Sequence, residues 1–413
     1  MINTSKEHSL SGNPEHGFGG LGIAPKMLEV LAQLNFKTPT PIQRKAIPIA
    51  IEGKDVVGIA QTGTGKTLAL GIPMIQRILQ ANKGKGLIIL PTRELALQSN
   101  EMLLKIGRPF GLKTAVLIGG ASMGQQVQAI RNRPHIVIGT PGRVIDHLQQ
   151  KTLSFHDVMV LVLDEADAMF DMGFALQIKQ ILQATSKDRQ TMLFSATMPE
   201  NIVKIATSHM KLPVRVEIDR QGTAAEKVEH ELFVVKKDQK NRLLDKLLLE
   251  YKGSVLVFCR TKFGAKKICR DVRNMGISTA EIHSNRSLAQ RREALDGFKM
   301  GKYRVLVATD IASRGIDVKG IELVINYDLP ESAGDYVHRI GRTGRAGMAG
   351  RAISFVMIEQ KNKIREIERL IQSMLRISKL PELPAHRAVL AGQEDHRPKH
   401  YFKNNPRRFQ RHR

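Results

Sequence analysis

The chain has 413 residues, more than one hydrophobic core ordinarily serves, so two domains of ordinary size are expected. Hydrophobic residues make up 42% and charged residues 25%, a balance that excludes a disordered chain, and no apolar run approaches the length of a membrane span. Lys plus Arg number 64 against 39 Asp plus Glu, a formal charge of +25, which favours a polyanion as partner: RNA, DNA or an acidic membrane surface.

The two cysteines, Cys259 and Cys269, match no metal-ligand spacing and read as reduced thiols in or near a core, which suits a reducing compartment. Met1–Gly20 is polar and Gly-rich, without an apolar segment of the signal-peptide type, so the expected location is cytoplasmic and away from membranes.

Short apolar runs alternate with longer amphipathic stretches, the pattern of a parallel sheet covered by helices. After an amino-terminal extension, 1–17, the first half (18–212) holds strand candidates at Asp55–Ile59, Gly86–Leu90, Thr114–Ile118, His135–Gly139, Val158–Leu163 and Thr191–Ser195. Helical stretches such as Lys66–Gln80 and Arg93–Lys105 follow most of them. From 213 to 227 a Pro-, Gly- and charge-containing stretch breaks the rhythm and reads as an interdomain linker.

The second half (228–380) restarts it, with strands expected at Glu231–Val235, Ser254–Phe258, Arg304–Ala308, Glu322–Asn326 and Arg351–Val356. Its helices are expected at Lys240–Glu250, Gly264–Asn274 and Leu288–Lys299. Residues 381–413, with Pro381, Pro384 and Gly392, read as a disordered basic tail. The fold class is α/β: two open, mainly parallel sheets flanked by helices, with sites at the carboxyl ends of strands.

Directly after the strand ending at Ile59 stands Ala60-Gln61-Thr62-Gly63-Thr64-Gly65-Lys66-Thr67. A glycine-bearing turn that opens a helix aims backbone N–H groups at a phosphate chain, and the helix dipole assists. Lys66 would neutralise the β and γ phosphates, and Thr67 would offer its hydroxyl to Mg²⁺. Position 60 is Ala where the generic pattern begins with Gly; the plainer reading is a Gly-rich turn with a surface lysine.

Asp164-Glu165-Ala166-Asp167 ends the apolar strand Val158–Leu163. Carboxylates there reach the metal of a phosphate loop on the same sheet. Asp164 would hold Mg²⁺ through its water shell, and Glu165 would orient and deprotonate the attacking water. By itself such a run is also the start of a solvated acidic helix. Together the two segments specify a nucleoside triphosphatase.

Pro39-Thr40-Pro41-Ile42-Gln43 precedes the phosphate loop, with Phe18 further upstream. A Gln carboxamide pairs with an adenine edge and mismatches guanine, which favours ATP, although a Pro-flanked Gln is also a common helix-start residue. Pro91-Thr92-Arg93-Glu94-Leu95-Ala96, Gly119-Gly120, Thr140-Pro141-Gly142-Arg143 and Ser195-Ala196-Thr197 follow. The second half holds Ala308 to Asp317 and then His338-Arg339-Ile340-Gly341-Arg342-Thr343-Gly344-Arg345, three arginines spaced by glycines.

In these motifs, in this order from Phe18 to about Val356, the chain resembles the DEAD-box RNA helicases. The resemblance implies two RecA-like domains that form a cleft for ATP and a groove for single-stranded RNA. It implies that Phe18 and Gln43 hold adenine, and that Ala60, Gln61, Thr62, Gly63, Thr64, Gly65, Lys66 and Thr67 line the phosphates. Thr67 and Asp164 then belong to the metal, while Asp167, Ser195, Thr197 and Arg339 couple hydrolysis to domain movement.

From the second domain, Arg342 and Arg345 are implied as arginine fingers and Asp317 as the ribose contact. Arg314 is implied near the attacking water, and His338 across the cleft from the carboxylates. Arg93, Gly120, Thr140, Arg143, Arg260 and Thr309 are implied along the RNA path, with contacts to backbone and 2′-hydroxyls. Two segments depart from the family pattern. His283-Ser284-Asn285 stands for the common His-Gly-Asp, and the element that usually reads Gln-x-x-Arg is Gln290-Arg291-Arg292-Glu293.

The implied function is an ATP-dependent RNA helicase with a monomeric core that unwinds locally and non-processively. The alternatives are a DNA-translocating ATPase and an ATP-dependent RNA clamp or annealing chaperone. The end of the tail, His396 to Arg413, carries seven Lys and Arg residues, no acid, and the interleaved rings Tyr401, Phe402 and Phe409. It reads as an RNA-binding arm or as a solubilising tail.

Overall fold

The computed structural model describes residues 17–61, 63–81, 83–218, 228–310, 321–344 and 350–384. The extension before Gly17, the basic end after Pro384, and the site candidates Thr62, Arg314, Asp317 and Arg345 lie outside the described residues. Two seven-stranded sheets, all strand pairings parallel, carry the chain.

The first comprises β1 (Val56–Ile59), β2 (Lys85–Ile89), β3 (Thr114–Leu117), β4 (Ile136–Gly139), β5 (Val158–Leu163), β6 (Gln190–Ser195) and β7 (Val214–Glu217), in the order β3-β4-β2-β5-β6-β1-β7. The second comprises β8 (Val228–Val234), β9 (Val255–Phe258), β10 (Thr279–Ile282), β11 (Val305–Ala308), β12 (Leu323–Asn326), β13 (Gly350–Val356) and β14 (Arg376–Ser378). Its order, β10-β11-β9-β12-β13-β8-β14, is the first order with seven added to every strand.

Strands buried on both faces read as unbroken apolar runs. Alternate residues enter opposite layers: Val56, Ile88, Val160, Val162 and Phe194 face one core, and Val57, Ile89, Leu161, Leu163 and Leu193 the other. The second lobe divides in the same way, with Val255, Val257 and Val305 in one layer and Leu256, Phe258 and Leu306 opposite.

Three strands were not expected. β7 falls inside the stretch read as linker, because Val214-Arg215-Val216-Glu217 is an edge strand that buries only Val216. β10 holds the polar Thr279 and Glu281, yet all four residues are buried, with the Arg286 guanidinium on Glu281. β14 is three residues long and exposes Ile377. No described helix is long and apolar enough to cross a membrane.

Helix starts supply most of the motif loops. In the first lobe α1 is Pro25–Gln33, α2 is Pro41–Ile51, α3 is Lys66–Ala81 and α4 is Arg93–Gly107. α5 (Met123–Arg131), α6 (Pro141–Gln149), α7 (Ala166–Asp171), α8 (Ala175–Ala184) and α9 (Glu200–His209) follow. The second lobe has α10 (Lys240–Glu250), α11 (Lys262–Arg273), α12 (Leu288–Lys299), α13 (Ala333–Ile340) and α14 (Lys361–Ile371) among the described residues. Thr92, Thr261, Ser287 and Ser332 accept a backbone N–H at the start of α4, α11, α12 and α13, as helix-capping hydroxyls do.

Candidate functional site

The order β5-β6-β1 sets three loops side by side: the acidic segment after β5, Ser195-Ala196-Thr197 at the end of β6, and the glycine loop after β1. In that loop Gly63 (φ 84°) and Gly65 (φ 90°) adopt left-handed backbone that side chains resist. A Cβ on Gly65 would lie 2.4 Å from Gln43 Nε2.

Gln43 caps α2, its Oε1 accepting from Thr40 N at 2.9 Å, and its Nε2 donates to Gly65 O at 2.9 Å. The structure thus gives Gln43 a role as brace of the loop. Inside the loop Thr64 Oγ1 donates to Gln61 O at 2.7 Å, and Ala60 N donates to Ser195 O at 2.9 Å. Thr67 follows Lys66 in the first turn of α3, and Phe18 is buried in the core beneath α1 and α2.

The Lys66 ammonium is buried, 2.7 Å from Glu165 Oε1, 3.9 Å from Asp164 Oδ1 and 3.1 Å from Ala60 O. Burial disfavours its charge, but the Glu165 and Asp164 carboxylates outweigh burial and hold its pKa above the ordinary lysine value. Asp164 is pushed up to about 6, by burial first and by Glu165 and Asp167, against the pull of Lys66. Glu165 sits at φ 54°, ψ 49°, a left-handed conformation uncommon for a side chain of this kind and concentrated at functional sites.

Asp167 gathers the third loop. Its Oδ2 accepts from Ala196 N (3.1 Å), Thr197 N (2.9 Å) and Thr197 Oγ1 (3.0 Å), while its own N–H donates to Ser195 Oγ at 3.3 Å. A buried carboxylate with three donors ties the acidic loop to the Ser195–Thr197 segment.

On the same sheet edge Arg93 lies half-buried over Gly119 and Gly120, where a Cβ on Gly120 (φ 76°) would come within 2.3 Å of Arg93 Nη1. Arg143 Nη1 donates to Ala121 O at 3.1 Å, and the backbone N–H of buried Thr140 donates to Leu117 O at 3.0 Å. Burial first, then the Arg291 and Arg143 guanidiniums, lower the Arg93 pKa. Arg93, Gly120, Thr140 and Arg143 therefore converge on one cationic face.

In the second lobe Arg260 is exposed after β9 and Thr309 is half-exposed after β11. Arg339, read from the sequence as a coupling residue, is buried within its own lobe. Its guanidinium forks onto the Asp310 carboxylate, donates to Asn326 Oδ1 (3.1 Å) and Asp328 O (2.6 Å), and stacks on Phe258. It fastens α13, with His338 and the Arg342 turn, to the Thr309-Asp310 loop. Arg342 is buried, with Nε donating to His338 O at 3.1 Å.

The lobes meet where the sequence reading misplaced the register of α12. Arg291 Nη2 lies 3.2 Å from Glu94 Oε1 with both side chains 11% exposed, and Leu288 packs against the first-lobe core. Gln290 instead caps α12 through Ser287 N, and Glu293 pairs with Lys302 within the second lobe. Residues i and i+3 share a helix face, so the pattern is Leu288-x-x-Arg291, with Leu at the position of the Gln. The capping-box spacing Ser287 to Gln290 was the available signal for this register.

Family models for the DEAD/DEAH box helicase and the helicase conserved C-terminal domain match residues 40–205 and 239–347. The chain is 41% identical to the ATP-dependent RNA helicase DbpA of Bacillus subtilis over 356 residues, 86% of this chain and 74% of that one. It belongs to the DEAD-box ATP-dependent RNA helicases.

Among solved structures, the helicase resembles S. cerevisiae Dbp5 bound to RNA and ADP BeF3, with TM-score 0.78 and 29% identity over 87% of this chain and 95% of that one. A DEAD box protein of the hyperthermophile Methanococcus jannaschii is 37% identical but gives TM-score 0.52, over 88% of this chain and 99% of that one. The helicase's own residues fit a nucleotide: a loop with left-handed Gly63 and Gly65, a buried ammonium, and two buried carboxylates. Mg²⁺ is usually bound through one or two carboxylates plus phosphates and water, and the Asp164 carboxylate beside the Lys66 ammonium fits that chemistry.

Proposed function

We propose that this helicase hydrolyses ATP when RNA draws its lobes together, and that closure locally and non-processively melts short RNA duplexes. The observation that carries the reading is the Arg291–Glu94 pair, which joins α12 of the second lobe to the residue following Arg93 on the cationic face. Closure and the RNA path are thus adjacent, and each favours the other by linkage. The greater whole-chain likeness to the RNA-bound yeast protein than to the archaeal one supports the same mutual arrangement of lobes.

In this reading Lys66 exchanges Glu165 for the terminal phosphates, which leaves the Glu165 carboxylate to orient the attacking water and take its proton. Asp164 and Thr67 would hold Mg²⁺, and Phe18 and Gln43 would hold adenine, with Gln43 exchanging its bonds to Thr40 and Gly65 for the base edge. Bound ATP supplies the phosphoanhydride that is broken. Arg342 and Arg345, with Arg314, Asp317 and His338, complete the pocket from the second lobe, and a finger of this type contributes about 10³–10⁵ in rate. Arg93, Gly120, Thr140, Arg143, Arg260 and Thr309 hold one strand by its backbone. The working unit is a monomer in the cytoplasm.

The test is a Glu165→Gln variant. It is expected to bind ATP and RNA with parental affinity while RNA-stimulated turnover falls at least about 10²-fold, the usual worth of a general base. Parental unwinding should fall steeply as the duplex lengthens. Parental turnover by the variant removes the base assignment, and unwinding independent of duplex length removes the local mechanism.

A further inference from the structure

The two lobes repeat one arrangement at the RNA-facing ends of their strands. In the first, Thr92 caps α4, Arg93 is the first helical residue, and Arg93 leans on Gly120, three residues beyond β3. In the second, Thr261 caps α11, Lys262 is the first helical residue, and Lys262 Nζ donates to Asn285 Oδ1 at 3.0 Å, three residues beyond β10. By sheet order β9 corresponds to β2 and β10 to β3, so Lys262 and Asn285 occupy the places of Arg93 and Gly120.

The next residue is where the lobes diverge. Glu94 in the first lobe is turned to Arg291; Phe263 in the second is 71% exposed. Among the described residues Phe263 is the one Phe or Tyr in the exposed class. Its ring carries the Lys262 ammonium 5.4 Å from the centroid, and the exposed Arg260 stands three residues before it.

An apolar ring left in water beside cations contributes nothing to the core, but it matches a ligand that has a flat aromatic face and a negative charge together. We propose that Phe263 is a stacking platform for one unpaired nucleobase of the bound RNA strand, with Lys262 held over the ring to take the adjoining phosphate. The site rests on the RNA reading above and adds to it a base contact, where the family's path is one of backbone contacts.

Asn285 has a part in it. The family commonly has Asp there, and a carboxylate 3.0 Å from Lys262 would neutralise it; the neutral Asn285 amide orients the ammonium and leaves its charge for a phosphate. The Asn285 departure from the family pattern thus gains a physical purpose in this chain.

The experiment uses the full chain, a non-hydrolysable ATP analogue and a labelled single-stranded RNA, with affinity measured across salt. Phe263→Ala is expected to weaken binding about tenfold, the scale of one base–aromatic stack, whereas Phe263→Tyr stays within about twofold. Phe263→Leu should behave as the Ala variant, because the ring and not apolar bulk is required. Asn285→Asp should pair with Lys262 and flatten the slope of log affinity against log salt by about 0.7, one single-strand phosphate contact.

An RNA with abasic positions should erase the difference between parent and Phe263→Ala. Parental affinity in the Ala or Leu variant, beside a parent that binds RNA, overturns the platform alone. A parent whose ATP turnover does not respond to RNA overturns the platform and the RNA reading together.

Discussion

The two lobes have one topology and, at one point, the same pair of side chains. In the first, Lys66 opens the helix after β1 and approaches Asp164, which follows β5. In the second, Lys240 opens the helix after β8, and its ammonium lies 2.7 Å from Asp328 Oδ1, two residues beyond β12. Strands β8 and β12 are the counterparts of β1 and β5. The difference lies in the connecting loop. Ala60–Gly65 turns through left-handed Gly63 and Gly65, whereas Val235-Lys236-Lys237-Asp238-Gln239 has no glycine.

In place of phosphates, Lys240 donates to Tyr327 O at 2.7 Å and lies over the Tyr327 ring. In the proposed function the glycine loop is what makes the Lys66–Asp164 pair a nucleotide site, whereas Lys240, without such a loop, ties Asp328 and Tyr327 to the start of α10.

The sharpest way to break this comparison is to remove each lysine in turn. Lys66→Met should cut RNA-stimulated ATP turnover by about 10²–10³-fold, the range for losing a group that stabilises developing charge. Lys240→Met should leave turnover per folded molecule within about twofold. It should instead lower the second lobe's stability by about 3 kcal/mol, because Asp328 loses a buried partner. Thermal unfolding alongside single-turnover kinetics separates the two outcomes. A folded Lys240→Met protein without turnover would make the second pair a working contact.

How far the sequence disclosed this molecule follows from the same contrast. Lys66, Asp164, Glu165, Ser195 and Thr197 stand in contiguous segments at strand ends, and the order β5-β6-β1 brings those segments together. The buried strands were legible because helices on both faces demand unbroken apolar runs. β7 and β14 escaped because they bury one residue at most, and β10 because Glu281 is neutralised by Arg286, which lies outside the strand.

Arg339 carries the family motif's cationic label, yet among the described residues its hydrogen bonds stay within its lobe. No local pattern announces Asp310, Asn326 and Asp328 as its partners, since they come from other strand ends. The Leu288–Arg291 face was hidden by a motif register that only the helix start at Ser287 settles.

A smaller effect sharpens the electrostatics of the first lobe. Asp164 is raised from its ordinary 3.8 to about 6, so the folded chain binds that proton more tightly than the unfolded chain. Its favourable contribution to stability is complete below pH 4 and is lost as pH rises through 6. In nucleotide-free protein kept in chelator, the parent should gain about 1–3 kcal/mol relative to Asp164→Asn between pH 7 and pH 4. Parallel stability profiles for the two proteins would place the shift elsewhere.

The smallest expected effect tests whether the lobes communicate through charge. Glu94 and Arg291 are a poorly hydrated pair, so a double-mutant cycle on interlobe distance, read by energy transfer, should give a coupling of about 1 kcal/mol. The two single variants should not be equal. Arg93 feels Arg291 and Arg143 as like charges and Glu94 as the opposite charge. Glu94→Gln leaves three guanidiniums facing one another and should open the lobes. Arg291→Gln removes one of the repelling groups, and its cost should be the lower of the two. Added single-stranded RNA supplies the missing anion and should rescue Glu94→Gln more than Arg291→Gln. Equal costs without that rescue would mean that Leu288 packing, and not charge, holds α12 against the first lobe.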